Sequence, residues 1–208
     1  MKGAELVLLD EPLANLDYKL REELREELPK IFAEANAVVV YATTEPTEAL
    51  LLGGRTATLR EGRVTQVGAT PDVYRRPADL VTAQTFSDPP LNVFAMRCRG
   101  GELASDLGVR VPARGLADGD YQIGVRPHHI GPHGEGSVAV ETRTVVAEVT
   151  GSQTFLHADL GATRVVSLMN GIHRFEPGQK VTLHFDPANM LVFSADGQRV
   201  APAPAQAA

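Results

Sequence analysis

The densest group of chemically capable residues lies in Leu6-Val7-Leu8-Leu9-Asp10-Glu11-Pro12, followed by Leu13-Ala14-Asn15-Leu16-Asp17. Four consecutive apolar residues suit a strand buried on both faces of a parallel sheet. Such a strand delivers two adjacent carboxylates, Asp10 and Glu11, at its C-terminal end. One carboxylate can hold Mg²⁺ through the ion's water shell. The next can orient or deprotonate an attacking water. The same string also fits a plain acidic turn, with Asp17 near a helix start where its charge suits the dipole. The acidic pair alone does not separate these two readings.

The elements around these residues follow from periodicity. Leu16, Leu20, Leu24, Leu28 and Phe32 recur every four residues among charged neighbours, which predicts one amphipathic helix, with Glu26 and Lys30 as an i,i+4 pair and Pro29 loosening its last turns. Val38-Val39-Val40-Tyr41 is a second buried-strand candidate, and Pro46 suits the first position of a short helix. Thr56 to Leu59 and Val64 to Val67, joined by Glu61-Gly62, read as a hairpin. Pro71 to Arg76 and Asp79 to Phe86 read as helices. Residues 1–87 thus alternate strand and helix, as α/β sheets do.

From about residue 88 the pattern changes. Asp88-Pro89-Pro90 reads as a linker. Short strand-like runs then alternate with glycine-containing turns up to Phe193, which predicts a small all-β barrel over 88–200. Tyr121, Phe155, Phe175, Phe185 and Phe193 are expected to fill its core. Residues 201–208 carry two prolines and no large apolar side chain and are expected to be disordered.

Composition narrows the function classes. The chain has 208 residues, 43% hydrophobic and 22% charged, an ordinary globular mixture. A formal net charge of −6 and only 5% aromatic residues argue against a basic, base-stacking nucleic-acid groove. Cys98 is the single cysteine, so no intrachain disulfide can form. No apolar run approaches the roughly 18–20 residues of a membrane helix. Met1-Lys2-Gly3 and the short run after it lack the pattern of a signal peptide. His128, His129 and His133 cluster, but a doublet in a Pro/Gly-flanked turn seldom converges on a metal.

The longer string Leu8-Leu9-Asp10-Glu11-Pro12-Leu13-Ala14-Asn15-Leu16-Asp17 resembles the Walker B and D-loop segment of ABC transporter ATPases. Arg21-Glu22-Glu23-Leu24-Arg25 is similar to the helix after the D-loop in importers of the maltose type. Glu61-Gly62-Arg63-Val64 and the run from Val67 to Pro77 resemble the end of that nucleotide-binding domain. Pro89-Pro90-Leu91-Asn92, Gly124-Val125-Arg126-Pro127 and Phe185-Asp186-Pro187-Ala188-Asn189 resemble its C-terminal regulatory domain, the OB-like barrel called TOBE. The resemblance runs in the family's order over almost the whole chain. It implies an α/β remnant of an ATPase domain over 1–87 and a TOBE barrel over 88–200. It also implies roles. Asp10 is the magnesium-side aspartate, acting through water. Glu11 is the catalytic glutamate, and Asp17 is the D-loop aspartate that acts across an ATPase dimer.

Two departures matter. A P-loop needs Gly-x-x-x-x-Gly-Lys-Ser/Thr, because backbone amides and a lysine cradle the phosphates. None of Lys2, Lys19, Lys30 and Lys180 follows a glycine, and neither the Q-loop nor the family signature is present. Leu52-Gly53-Gly54-Arg55 has a superficial likeness to the signature but reads as a turn. The family also places a histidine after the second buried strand, at the switch position, and this chain has Thr44 there. Threonine offers one hydrogen bond and no imidazolium charge. The resemblance therefore implies the C-terminal part of an importer ATPase that uses ATP and Mg²⁺ when complete, and a chain that binds ATP poorly alone. Implied partners are membrane permease subunits and a second ATPase subunit, with no nucleic acid. The implied place is cytoplasmic, at the inner membrane face through the permease. The substrate class it suggests is carbohydrate, glycerol or glycerol phosphate. The competing reading is a non-catalytic regulatory or small-ligand-binding TOBE module in which only residues 88–200 act. Dependence of activity on Glu11 separates the two.

Overall fold

The computed structural model describes residues 5–35, 37–113, 115–133 and 138–200. The expected disorder of 201–208 falls outside them. The chain forms two units, one up to Arg76 and one from Pro77 onward.

In the first unit, strand β1 (Leu6–Asp10) pairs in parallel with β2 (Val38–Ala42), and the register sets Leu6 against Val38, Leu8 against Val40 and Asp10 against Ala42. Helix α1 (Tyr18–Glu34) connects them, as a parallel crossover requires. Phe32 of α1 meets Tyr41 of β2 edge to face, with ring centroids 6.3 Å apart. The other face of the pair is not buried as the apolar runs suggest. Leu6 is 54% exposed, Leu8 70%, Val38 63% and Val40 51%. Two strands and one helix do not supply a second covering layer. Pro29 is accommodated inside α1, and Lys30 pairs with Glu27 at 2.8 Å rather than with Glu26. Helix α2 (Pro46–Leu52) starts on Pro46 as expected. Strands β3 (Arg55–Arg60) and β4 (Arg63–Ala69) form the expected hairpin. Its turn residues, Glu61 and Gly62, have φ of 49° and 74°, as a two-residue turn of the mirror-image type demands. Helix α3 (Thr70–Arg75) ends the unit.

The second unit holds the larger core. Two five-stranded antiparallel sheets make a nearly closed barrel. One runs β12 (Thr163–Asn170), β11 (Gln153–Leu160), β10 (Val138–Val149), β13 (Lys180–Phe185), β9 (Ile130–Gly131). The other runs β14 (Leu191–Ser194), β8 (Gly119–Val125), β5 (Asn92–Arg99), β6 (Glu102–Ala104), β7 (Arg110–Pro112). Alternation along each strand turns one set of side chains inward. Phe94, Met96, Ile123 and Val125 from one sheet pack with Val140, Leu156, Val165, Leu183 and Phe185 from the other. Strands β6 and β9 are three and two residues long, too short to show a period in the sequence.

Two expectations are corrected here. The aromatic set does not all point inward. Phe185 and Phe193 are buried, Tyr121 and Phe175 pack at the margin, and Phe155 is half-buried on the outer face of β11, because Thr154 and Leu156 take the inward positions. The boundary also differs. The segment 77–87 belongs to the second unit, not to the α/β part. Helix α4 (Leu80–Thr85) is tied down by Leu80 N donating to Gly197 O and Arg199 N donating to Ala78 O, and Ala83 packs with Leu91, Leu191 and Phe193. The supposed linker is built in as well, with Pro89 buried and its carbonyl accepting from Ser87 Oγ at 2.9 Å.

The barrel is closed by a side chain where the ladders stop. Strand β12 lies at a sheet edge, so the outward backbone groups of Val166 lack a strand partner. Asn92 of β5, 3% exposed, satisfies both: its Nδ2 donates to Val166 O at 2.8 Å and its Oδ1 accepts from Val166 N at 2.7 Å. Asn92→Ala leaves both buried backbone groups unpaired. It should destabilise the barrel by about 2–4 kcal/mol in equilibrium urea unfolding. A loss below about 0.5 kcal/mol would show that water replaces the amide there.

Candidate functional site

The parallel register brings the C-terminal ends of β1 and β2 side by side. Asp10 is the last residue of β1, opposite Ala42, the last of β2. Glu11 N donates to Ala42 O at 2.9 Å, which extends the pairing one residue beyond the strands. Asp10 and Glu11 on one loop, and Thr43 and Thr44 on the other, therefore emerge at one edge. In open α/β sheets this edge is where ligands bind. Asp10, Glu11 and Thr44 are exposed there.

Glu11 sits at φ 43°, in the left-handed region that a residue with a Cβ enters only at a cost of about 1 kcal/mol or more. Two backbone bonds hold it: its amide donates to Ala42, and its carbonyl accepts from Ala14 N at 3.0 Å. Leu13, 4% exposed, anchors the same turn. The backbone is thus fixed while the carboxylate stays in solvent.

Asp17 has a structural task. Its Oδ1 accepts from Leu20 N at 3.0 Å, the N-cap of α1. The carboxylate is exposed and lies at the loop's far end from Asp10 along the chain.

The second loop is held by groups that sequence reasoning missed. Glu48, 4% exposed, accepts from Tyr41 OH at 2.9 Å and from Thr43 Oγ1 at 2.6 Å. Thr43 Oγ1 in turn accepts from Glu45 N at 3.0 Å. Arg25 of α1 faces Glu48 at 3.6 Å and also bonds Glu45 and Glu22. Burial and the neighbouring Glu48 carboxylate push the Tyr41 hydroxyl well above its ordinary value, so it remains a donor. The network fixes the loop before Thr44 while leaving Thr44 itself open. In the sequence, Glu48 looks like an ordinary first-turn acid of a short helix. The available signal was Tyr41 and Thr43 flanking a strand end, seven and five residues before it.

Elsewhere, Gly53 and Gly54 have φ of 68° and 69°, so the signature-like Leu52-Gly53-Gly54-Arg55 is a turn between α2 and β3. In the second unit, His128 and His129 lie in a 3-10 turn (Pro127–His129) with ring centroids 4.2 Å apart. Burial lowers the pKa of both, followed for His128 by His129 and then by the Arg126 charge, and for His129 by the Arg126 charge. Among the described residues no helix is long and apolar enough to cross a membrane.

Comparisons with known proteins agree with this layout. A family model for the TOBE domain matches residues 123–193, from β8 to β14. The multiple sugar-binding transport ATP-binding protein MsmK of Streptococcus mutans is 32% identical, covering 94% of this chain and 59% of its own length. The sulfoquinovosyl glycerol transport ATP-binding protein SmoE of Agrobacterium fabrum is 30% identical, covering 96% and 58%. The sn-glycerol-3-phosphate import ATP-binding protein UgpC of Chromobacterium violaceum is 31% identical, covering 92% and 54%. The chain thus spans little more than half the length of these curated relatives. Among solved structures, the cytoplasmic molybdate-binding protein ModG aligns over 50% of this chain and 95% of its own, with TM-score 0.38 and 12% identity, too distant to bear on function. Over nearly its whole length, the chain corresponds to the C-terminal part of ATP-binding subunits of sugar and glycerol-phosphate ABC importers, ending in a TOBE domain.

Proposed function

We propose that this chain supplies the water-activating half of an importer ATPase site together with its regulatory barrel. The observation that carries the reading is the β1–β2 register, which sets Asp10-Glu11 and Thr43-Thr44 at one strand-end edge. Asp10 would hold Mg²⁺ through water, Glu11 accepts the proton of the attacking water, and Thr44 takes the switch position with a hydroxyl. Asp17 caps α1 and reaches toward a second ATPase subunit across the dimer. The residues present fit the metal-and-water side of a Mg–ATP site. They do not fit its phosphate side, because no glycine-flanked lysine of this sequence can cradle the triphosphate. Bound Mg²⁺ would neutralise charge on the phosphate oxygens, and the chain's own contribution is to position and deprotonate water.

The implied partners are permease subunits and a polypeptide segment bearing the phosphate cradle. The implied location is the cytoplasmic face of the membrane. The relatives' names make a carbohydrate, glycerol or glycerol-phosphate cargo the substrate class to test first.

Millimolar Mg–ATP should leave the unfolding temperature of the purified chain unchanged. A ligand at a hundred times its Kd would add about 2.7 kcal/mol, a shift of several degrees. A clear magnesium-dependent shift that Asp10→Asn abolishes would show a complete nucleotide site in this chain and overturn the half-site reading. The second reading, a regulatory or ligand-binding barrel, is supported by where the main core lies, entirely in the second unit. It predicts that ligand or regulator binding survives in a chain beginning at Pro77.

A further inference from the structure

Asp17 and Thr44 belong to different loops. The backbone ties these loops together at their strand ends, where Glu11 N donates to Ala42 O. Asp17 lies well beyond that bond along its loop, at the start of α1. Between the loops stands Arg21 of α1. Its Nη2 donates to Leu16 O at 3.3 Å, beside Asp17, and its Nη1 donates to Glu45 Oε1 at 3.4 Å, beside Thr44. One guanidinium thus touches the chain neighbour of each candidate site residue.

The far side of this bridge is itself held. Glu45 Oε1 takes Arg21, and Oε2 takes Arg25. Arg25 faces Glu48 at 3.6 Å, and Glu48 accepts from Thr43 Oγ1 at 2.6 Å. Thr44 is therefore flanked by two anchored residues while its own side chain is exposed. Nor is Arg21 a freely solvated surface charge. Its side chain is 30% exposed, and Nε is buried with no hydrogen-bond partner. Water and salt screen such a group less, so its contacts count for more than those of an exposed ion pair. A lysine ammonium is a compact point charge and lacks the rigid fork that serves two acceptors at once.

We infer that Arg21 is a positioning residue that couples the two loops, so that the Asp17 loop and the Thr44 loop are held as one body. Its bearing on the reaction rests on the proposed reading of Asp17 and Thr44 as site residues. A displacement of Asp17 by a second ATPase subunit is then felt at Thr44 without contact between the two.

The test is amide hydrogen exchange of the 208-residue chain. Two amides report on the loops: Leu20 N, bonded to Asp17 Oδ1, and Glu45 N, bonded to Thr43 Oγ1. Arg21→Met keeps an apolar stem and removes the guanidinium. Glu45 N, on the opposite loop, should then exchange at least about threefold faster, while the β3–β4 ladder is unchanged. Glu45→Gln breaks the same bridge from the other side, with Leu20 N as the reporter, and repeats the test should Arg21→Met be unfolded. The double variant should fall short of the product of the single effects. Arg21→Lys should not restore protection. Acceleration confined to the substituted loop, equal acceleration in the hairpin, or full protection in Arg21→Lys each overturns the inference. In an ATPase-competent assembly containing this chain, Arg21→Met should lower kcat by about tenfold or more with little change in the KM for ATP. Turnover that Glu11→Gln cripples and Arg21→Met leaves intact overturns the positioning role. Turnover indifferent to Glu11→Gln sinks the half-site reading instead, and hydrogen exchange still decides the coupling.

Discussion

Phe185→Ala should destabilise the barrel by about 3–5 kcal/mol, the range for deleting a fully buried aromatic ring. Phe185 is 2% exposed on β13, and its ring stacks on Phe94 of β5 with centroids 6.1 Å apart and planes 9° from parallel. The two rings come from different sheets. Their contact is therefore one that holds the barrel shut, and its loss cannot be absorbed by one sheet shifting within itself. A domain of this size typically has about 5–15 kcal/mol of stability, so the variant would lose a large share. Phe185→Leu keeps most of the volume and should cost much less, about 1–2 kcal/mol. Denaturant unfolding followed by circular dichroism gives both values. Equal costs for alanine and leucine would mean that ring stacking, and not filled volume, stabilises the position.

The elements of this fold were legible wherever a period could be counted. Helix α1, the β3–β4 hairpin and most barrel strands follow from apolar spacing and from Glu61-Gly62. What failed was information that spacing does not hold. The Leu6–Leu9 run has the composition of a fully buried strand, yet composition records what a strand can be packed against, not what is present to pack. The segment 77–87 looked like the end of the α/β part because helices are common there. Its attachment depends on Gly197 and Arg199, more than a hundred residues away, which no local pattern shows. The site shows the same division. Asp10, Glu11 and Thr44 are candidates from motif and order, and the β1–β2 register adds only that their two strand ends lie side by side. Glu48 and Arg25, which hold the second loop, became visible only once α1 and α2 were placed together.

Glu11→Gln should lower ATP turnover by about a hundredfold to ten-thousandfold in an ATPase-competent assembly that contains this chain and the missing phosphate cradle. The carboxamide keeps the shape and can orient a water, but it cannot take the water's proton. Glu11 is exposed, and its backbone is fixed by Ala42 and Ala14, so the substitution leaves the loop in place. Folding of the variant should be unchanged, and the loss should fall on turnover rather than on assembly. Thr44→Ala gives the scale for comparison. It removes one neutral hydroxyl, and a neutral hydrogen bond contributes about 1 kcal/mol, so turnover should fall by no more than about tenfold. That ordering follows from the chemistry of the two strand ends: one carries a base, the other a single hydrogen bond. If Glu11→Gln and Thr44→Ala had equal small effects, proton transfer would have to be assigned elsewhere. The strand-end carboxylates would then be surface acids, and the barrel would remain as the functional part of this chain.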